Sequence, residues 1–375
     1  MKLRVIELFA GIGSQHKALK NIGVDCEVVG ISEWSIDSII SYANVHHNSN
    51  EVTELTKEEI LEELKDFTFS SNTKTPIKTS TLKLDRLKKL YVANKSSKNL
   101  GSIVDLKASM TPDHDLLTYS FPCQDLSNQG SQRGLFEGKS SSLLWDVNRL
   151  LNELNEEGRL PKYLLMENVP AIFGDKNKDG FNIWKDNLRE MGYINFDFKL
   201  KASYFGIPQN RERAYMVSIL NGTENDFVIP TQGELTEMTI ADILTPNQVS
   251  KYYLDFKRFY PPVIKTDVTK NGISCFDLVG YTNFASERKV YHLNSISPTI
   301  TATGAQSRIK VYENGEIRML SPRECWKMMG FTDSDFDKVE GTLIDSALTK
   351  QAGNSIVVNV LEAIFTNLFI KKPLI

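Results

Sequence analysis

LRVIELFAGIGSQHKALKNIGVDCEVVGISEW, residues 3–34, carries the reading of the fold. Leu3 to Ala10 is an apolar, β-branched run that stops at Gly11-Ile12-Gly13. Ala18, Leu19 and Ile22 then fall at helical spacing, with Gly23 as the stop. Cys26 to Trp34 is a second strand, and IDSIISYANVHH (36–47) a second helix. Strand, glycine turn, helix, strand, helix is how a doubly wound sheet begins, so the spacing predicts an α/β, Rossmann-like fold. Further along, DLLTYSF (115–121) and KYLLMENV (162–169) predict two more buried strands, with the amphipathic helix SSLLWDVNRLLNELNEEG (141–158) between them. Residues 182–191 predict a helix, and 193–201 and 214–220 two strands.

From 222 to 324 this alternation stops. Pro230, Pro246, Pro261, Pro262 and Gly280 punctuate short strand-like runs. The change predicts a second, smaller domain of irregular β structure, with 1–221 and 325–375 forming the first. GNSIVVNVLEAIFTNLFI (353–370) predicts a strong closing helix.

Composition sets outer limits. Of 375 residues, 41% are hydrophobic and 24% charged, and the net charge is −3, which is globular and not uniformly basic. No 18-residue apolar run stands out, so no membrane span is expected. The N-terminus enters a strand pattern at once, without the apolar region of a signal peptide. Cys26, Cys123, Cys275 and Cys325 lie far apart and form no CxxC, so neither a metal cluster nor a disulfide framework is expected, and a reduced cytoplasm is the natural compartment. Charge is uneven locally. Residues 51–63 are acidic, whereas 65–98 carry Lys65, Lys74, Lys78, Lys83, Arg86, Lys88, Lys89, Lys95 and Lys98 against Asp66 and Asp85. That stretch reads either as a solvated face and loop or as an insertion that touches a phosphate backbone.

Reactive residue types collect at strand ends. Phe9-Ala10-Gly11-Ile12-Gly13 allows a tight turn and close backbone approach to a ligand, at the start of a helix with free N–H groups. Glu33, just past strand two, stands where such folds put a carboxylate on ribose hydroxyls. The pair favours a nucleoside cofactor without choosing between a dinucleotide and adenosylmethionine. A nicotinamide oxidoreductase is the weaker alternative, because His16 stands where GxGxxG needs its third glycine. Pro122-Cys123-Gln124 follows the strand DLLTYSF. Its polar flank of Gln124, Asp125 and Ser127 favours a reactive thiol over a buried one. Glu167 follows YLLM in the same way. Gln209, Arg211 and Arg213 alternate into the next strand, which would point them to one face, either as a surface ion-pair ladder or as a fork of donors for a base or phosphate.

Taken together, FAGIG (9–13), EW (33–34), PDHDLLTYSFPCQDLS (112–127), LLMENV (164–169), QNRER (209–213), PTITATG (298–304), LSPRECWKMMGF (320–331) and GNSIVVNVL (353–361) resemble the DNA cytosine-5 methyltransferases of prokaryotic and phage restriction-modification type, over nearly the whole chain. The resemblance implies a class I adenosylmethionine-dependent methyltransferase fold and sequence-specific methylation of cytosine C5 in double-stranded DNA. It implies Cys123 as the nucleophile at C6, Glu167 as partner of N3 and the exocyclic amine, and Arg213 as donor to O2, with Arg211 in the same catalytic set. It also implies a general base, carried by water, that removes the C5 proton. S-adenosyl-L-methionine, leaving as S-adenosyl-L-homocysteine, would be lined by Phe9, Ala10, Gly11, Ile12, Gly13, Glu33, Trp34, Ser102, Ile103, Asp105, Pro122, Asn354 and Ser355. Here the family often has an acidic residue after the glycine; this chain has Ser102 there and Asp105 nearby, which leaves the adenine partner open.

The target base would be flipped out of the duplex. The segment Gln124–Lys139 would close over the DNA, with Ser127, Gln129 and Arg133 touching it, and Gln209, Thr299 and Ile300 are further DNA contacts by similarity. Residues 222–324 take the place of the target-recognition domain. A cytoplasmic monomer with a restriction endonuclease partner in the cell, no metal and no membrane completes the expectation. The alternatives are a transfer-RNA cytosine methyltransferase and a non-catalytic DNA-binding homologue; the latter predicts loss of Cys123, Glu167 or Arg213, and all three are present.

Overall fold

The computed structural model describes residues 2–49, 53–122, 143–224, 226–246, 250–303 and 305–370. Cys123, Ser127, Gln129 and Arg133 therefore lie outside the described residues. The chain divides into two compact units. The first comprises 1–199, 213–230 and 361–375, the second 200–212 and 231–360.

The first unit is built on a sheet of six strands, ordered Cys26–Ser32, Leu3–Leu8, Leu116–Tyr119, Tyr163–Asn168, Glu212–Leu220 and Tyr193–Lys201. β1 (Leu3–Leu8) lies parallel to both β2 (Cys26–Ser32) and β3 (Leu116–Tyr119), and β3 is parallel to β4 (Tyr163–Asn168). β7 (Glu212–Leu220) runs antiparallel to β4, and β5 (Tyr193–Lys201) closes the edge beyond it. The expected doubly wound sheet is present, and the reversal of β7 against β4 makes it mixed. At the amino end of β1, Arg4 donates to Asp115 from its backbone N, Nε and Nη2 at 2.9, 3.1 and 2.9 Å, fixing β1 against β3.

Alternation along β1 sends residues to both faces. Ile6 and Leu8 join a core with Leu117, Tyr119, Leu164 and Met166, covered by two helices whose apolar stripes read directly from the sequence. Leu144, Val147, Leu150, Leu151 and Leu154 line the buried stripe of Leu143–Glu156, and Phe181, Trp184 and Leu188 that of Lys178–Glu190. On the opposite face Glu7 meets α2 (Ile36–His47) through Tyr42. α3 (Lys57–Glu63) and α4 (Leu84–Ser96) pack on α2 through Ile60, Leu64, Phe69, Leu87 and Leu90. The insertion at 53–98 is thus a small helical layer with its own apolar core.

The second unit holds a five-stranded sheet in the order β8-β13-β12-β10-β9: β8 (Tyr253–Leu254), β9 (Cys275–Asp277), β10 (Lys289–His292), β12 (Lys310–Glu313) and β13 (Glu316–Met319). Its apolar cluster is small, with Phe276, Leu278, Val290 and Ile317 at the centre. Buried Arg318 is held by Glu324 at 2.9 Å from both Nη atoms.

The compact units and one helix are divided differently from the sequence reading: 200–212 as well as 325–360 fall in the second unit, and 222–230 in the first. Residues 325–360 belong to the second unit, where Trp326 donates to the Leu348 carbonyl at 2.9 Å and Gln209 to the Met328 carbonyl at 2.9 Å. The helix expected over 353–370 is two: Asp345–Asn354 ends at extended Ser355, and Val358–Phe365 starts after it, its first N–H bound to the Met329 carbonyl at 3.0 Å. As one run, Asp345–Ile370 is long and apolar enough to span a membrane, a run the sequence reading did not single out; half of that apolar window is buried.

Candidate active site

Strand order locates the crevice. From β1 the chain goes to β2 on one side and then to β3 on the other, so the winding reverses between β1 and β3. Ligands of open α/β sheets bind outside the carboxyl ends of strands at such a switch point. Leu8 is level with Tyr119, and Tyr119 with Met166, so the residues just past them share one rim: Phe9 to Gly13, then Pro122, then Glu167.

The glycine turn has left-handed backbone at Phe9 (φ 55°), Gly11 (57°) and Gly13 (77°). The two glycines do different work. A Cβ on Gly13 would lie 2.2 Å from His46 Nε2 and 2.6 Å from Tyr42 Cε2, so this glycine serves packing. Around Gly11 the nearest atom to such a Cβ is the Phe9 carbonyl at 4.0 Å, so its side is open to a ligand. Glu33 organises the turn. Its Oε2 accepts from Gly11 N at 3.0 Å, and its Oε1 from Trp34 N at 2.9 Å and Ser35 N at 2.8 Å. Burial pushes the Glu33 carboxyl above its usual range, and the three amides oppose that. A carboxylate offers about four acceptor positions, so one remains. Trp34 is half-buried beside it.

Asn99 braces this edge, and nothing in the sequence singled it out. Its Oδ1 accepts from Glu33 N (3.1 Å) and Gly101 N (3.3 Å), and its Nδ2 donates to the Glu33 carbonyl at 3.0 Å. Ser102 is half-buried and its Oγ accepts from Val104 N at 3.4 Å, starting a turn; Ile103 is buried, and Asp105 is exposed. Between those two, only Asp105 presents a carboxylate to solvent.

Under the turn lies a polar layer. Glu7 is fully buried, accepting from His16 N at 2.7 Å and from the Tyr42 hydroxyl at 2.6 Å. Burial pushes its carboxyl up to about 7, against the Tyr42 bond. His46 Nε2 is 3.0 Å from the Ile12 carbonyl, and its ring stacks on that of His16 at 4.4 Å.

Further along the rim, Asn168 Nδ2 donates to the Phe121 carbonyl at 3.1 Å, tying the end of β4 to the chain just before Pro122. Phe121, next to Pro122, is thereby held against the residue that follows Glu167. Glu167 is 8% exposed, and its Oε1 lies 3.2 Å from Arg213 Nε. The three described cysteines have other surroundings. Cys325 is buried, which pushes its thiol up to about 12. Burial likewise raises Cys26. Cys275 lies in the second unit, 3.9 Å from Lys289 Nζ.

The expectation that Gln209, Arg211 and Arg213 share one face does not hold. Alternation applies to uninterrupted strands. Here Gln209–Asn210 and Glu212–Leu220 are separate strands, with a tight Arg211 N to Gln209 carbonyl bond of 2.9 Å between them. Gln209 is wholly buried in the second unit, donating to the Met328 carbonyl and accepting from Ile300 N at 2.9 Å. Arg211, 3% exposed, donates to the carbonyls of Ile300 (2.8 Å), Ser355 (2.7 Å) and Gly353 (3.2 Å). Ile300 is wholly buried, and Thr299 is half-buried with its hydroxyl on the Asn210 carbonyl at 2.7 Å. Gln209 and Ile300 thus form the inside of the unit rather than a surface for DNA. Asn354 ends its helix exposed, and Ser355 is buried.

Comparison with known proteins matches residues 69–370 to the family described as C-5 cytosine-specific DNA methylase. The orphan methyltransferase M.SssI of Spiroplasma monobiae is 39% identical over 386 residues, covering 97% of this chain and 96% of its own. The type II methyltransferase M2.ScrFI of Lactococcus lactis subsp. cremoris is 39% identical over 376 residues, covering 98% and 99%. The Dnmt2 methyltransferase of S. pombe shares the fold, with a TM-score of 0.63 at 18% identity over 98% of both chains.

Proposed function

The chain belongs to the C-5 cytosine-specific DNA methylases, and on that premise we propose that Cys123, Glu167 and Arg213 are its catalytic set and S-adenosyl-L-methionine its methyl donor. The enzyme methylates the C5 carbon of cytosine in DNA. The observation that carries the assignment is the Glu167–Arg213 pair, 3.2 Å apart on the rim next to the switch point.

Cytosine C5 is a weak nucleophile, and inside a duplex it is out of reach, so the base is flipped out. Addition of the Cys123 thiolate at C6 makes C5 enamine-like. Charge then grows on the ring. Glu167 holds N3 and the exocyclic amine, and Arg213 donates to O2, both fixed in advance by strand pairing. After methylation, a water-borne base takes the C5 proton, the freed pair re-forms the C5–C6 double bond, and Cys123 leaves as thiolate. The nearly buried, paired Glu167 and Arg213 need little rearrangement to receive the base.

For the donor, the open side of Gly11 and the unused acceptor position on Glu33 fit a nucleoside. Glu33 would take a ribose hydroxyl, and Phe9, Trp34 and Ile12 would bound the base; Asp105, the exposed carboxylate, is the better placed partner for the adenine amine than the turn-capping Ser102. The bound donor supplies an electrophilic methyl group on sulfur. By family resemblance Asn354 and Ser355 are also proposed as contacts of the donor. Arg211 is given a positioning role, holding the backbone of the Gly353–Ser355 segment. Residues 222–324 are proposed to read the target sequence in double-stranded DNA, and a restriction endonuclease partner, a monomeric state and a cytoplasmic location are proposed with it.

The test is methyl transfer from labelled donor to mixed-sequence duplex DNA, with bisulfite sequencing of the product. The wild type should protect cytosines at one sequence, and Cys123→Ser should transfer no label while still binding the duplex. Transfer by Cys123→Ser at the wild-type rate would remove the nucleophile assignment. Preferential labelling of transfer RNA would support the alternative polymer.

A further inference from the structure

We infer that the segment Ser70–Lys83 is a second, sequence-independent contact for the DNA phosphate backbone, made by Lys74, Lys78 and Lys83. The inference rests on the enzyme acting on DNA and adds a surface that the catalytic chemistry does not use.

The first observation is position. Ser70 N donates to the Trp34 carbonyl at 2.8 Å, and Ile36 N to the Ser70 carbonyl at 3.0 Å, so the segment begins paired to Ser35 at the carboxyl end of β2. It is therefore anchored on the same edge of the sheet as Glu33 and Trp34. The second is charge. No aspartate or glutamate occurs between Asp66 and Asp85, while three lysines and seven serines or threonines lie between Ser70 and Lys83. Lysine and hydroxyl side chains are the usual partners of phosphate oxygens.

The third observation separates these lysines from four other basic groups in the stretch. Lys65 pairs with Glu62 at 2.5 Å, Arg86 with Asp37 at 2.6 Å, Lys95 with Glu63 at 2.8 Å and Lys98 with Glu27 at 2.8 Å. Lys74, Lys78 and Lys83 are exposed and have no carboxylate partner among the described residues. Two of the four answered groups pair within the insertion and two with Asp37 and Glu27 outside it; of the five others, Lys88 and Lys89 lie on α4, and Lys74, Lys78 and Lys83 lie between Ser70 and α4.

The fourth is preorganisation. Phe69 is wholly buried in the core of the insertion, and Ile77 packs beside it. Ile77 N donates to the Phe69 carbonyl at 2.9 Å, closing the base of a loop. Across its tip, Asn72 Oδ1 accepts from Lys74 N (2.8 Å) and Thr75 N (2.9 Å), and Ser70 Oγ donates to the Thr75 carbonyl at 2.7 Å. Lys57 Nζ holds the Ser80 carbonyl at 2.9 Å. A loop ordered before binding loses little entropy on meeting the duplex.

The experiment measures duplex affinity against salt for the whole enzyme. Each phosphate contact contributes about 0.9 to the slope of log affinity against log salt. The variant Lys74→Gln/Lys78→Gln/Lys83→Gln should lower that slope by up to about 3, so that between 50 and 200 mM salt the wild type loses roughly 40-fold more affinity than the variant. The loss should be equal on methylatable and unrelated duplexes, with melting temperature unchanged. Lys78→Gln alone should lower the slope by about 0.9, and the paired Lys65→Gln should leave it as it is. An unchanged slope in the triple variant overturns the inference, as does a loss confined to one DNA sequence or to RNA. Failure of the wild type to methylate DNA would instead break the functional reading itself, so the two failures are distinguishable.

Discussion

Arg211 and Arg213 stand two residues apart and do opposite things. In the second unit Arg211 is buried against the carbonyls of Ile300, Gly353 and Ser355, so both its Nη groups are committed to the fold. On the rim of the first unit Arg213 sits 3.2 Å from a carboxylate that faces the ligand edge. A guanidinium that answers backbone carbonyls holds a segment in place; one that answers a side-chain carboxylate at an open strand end can be shared with a substrate. Residue type and spacing do not decide which role an arginine takes; its acceptors do.

The contrast makes three predictions, from the largest effect to the smallest. Arg211→Ala leaves buried carbonyls without donors, and should cost about 3–5 kcal/mol of stability, read as a fall in the urea midpoint. Arg213→Ala should lower kcat roughly 10²–10³-fold with a smaller loss of stability. If Arg211→Ala kept full stability but lost kcat, while Arg213→Ala did the reverse, the division of roles would be broken.

The third prediction concerns charge held without a cationic partner. Glu7 keeps its proton up to about 7 in the fold but releases it near the ordinary 4.5 when unfolded. Between those values the folded state binds more protons, so the Glu7 contribution to stability is present at low pH and is lost as pH rises through about 7. Relative to wild type, Glu7→Gln should be more stable at pH 8 than at pH 5 by up to about 3 kcal/mol. His16 and His114, held neutral by burial and lowered to about 4, work the other way. Their contribution is lost as pH falls from 6.5 towards 4, and Glu7→Gln leaves that acid loss in place. Equal urea midpoint differences at pH 5 and pH 8 would contradict the assignment.

Much of this architecture was legible in the residues. β1 to β4 and the helices between them announce themselves by apolar runs, by alternation and by stripes such as Leu144, Val147, Leu150, Leu151 and Leu154. Glu167 and the glycine turn could be placed because strand ends are legible once strands are. What escaped depends on contacts distant in sequence. Asn99 braces Glu33 from 66 residues away, and a lone asparagine carries no periodic signal. The break at Arg211 hides inside an alternating pattern, because a two-residue bond reverses the face without changing residue type. The allocation of 325–360 follows from Trp326 and Gln209 finding partners in the second unit, which no local pattern expresses. In the basic stretch the sequence displays charge, but only coordinates separate paired lysines from unpaired ones.

The most direct measurement is to trap the enzyme on a duplex carrying 5-fluorocytosine at its target site, with the methyl donor present, and map the adduct by mass spectrometry after digestion. The account predicts a methylated pyrimidine attached to the peptide containing Cys123, and no adduct with Cys123→Ser. Attachment at Cys26, Cys275 or Cys325, or an adduct that survives Cys123→Ser, would contradict it.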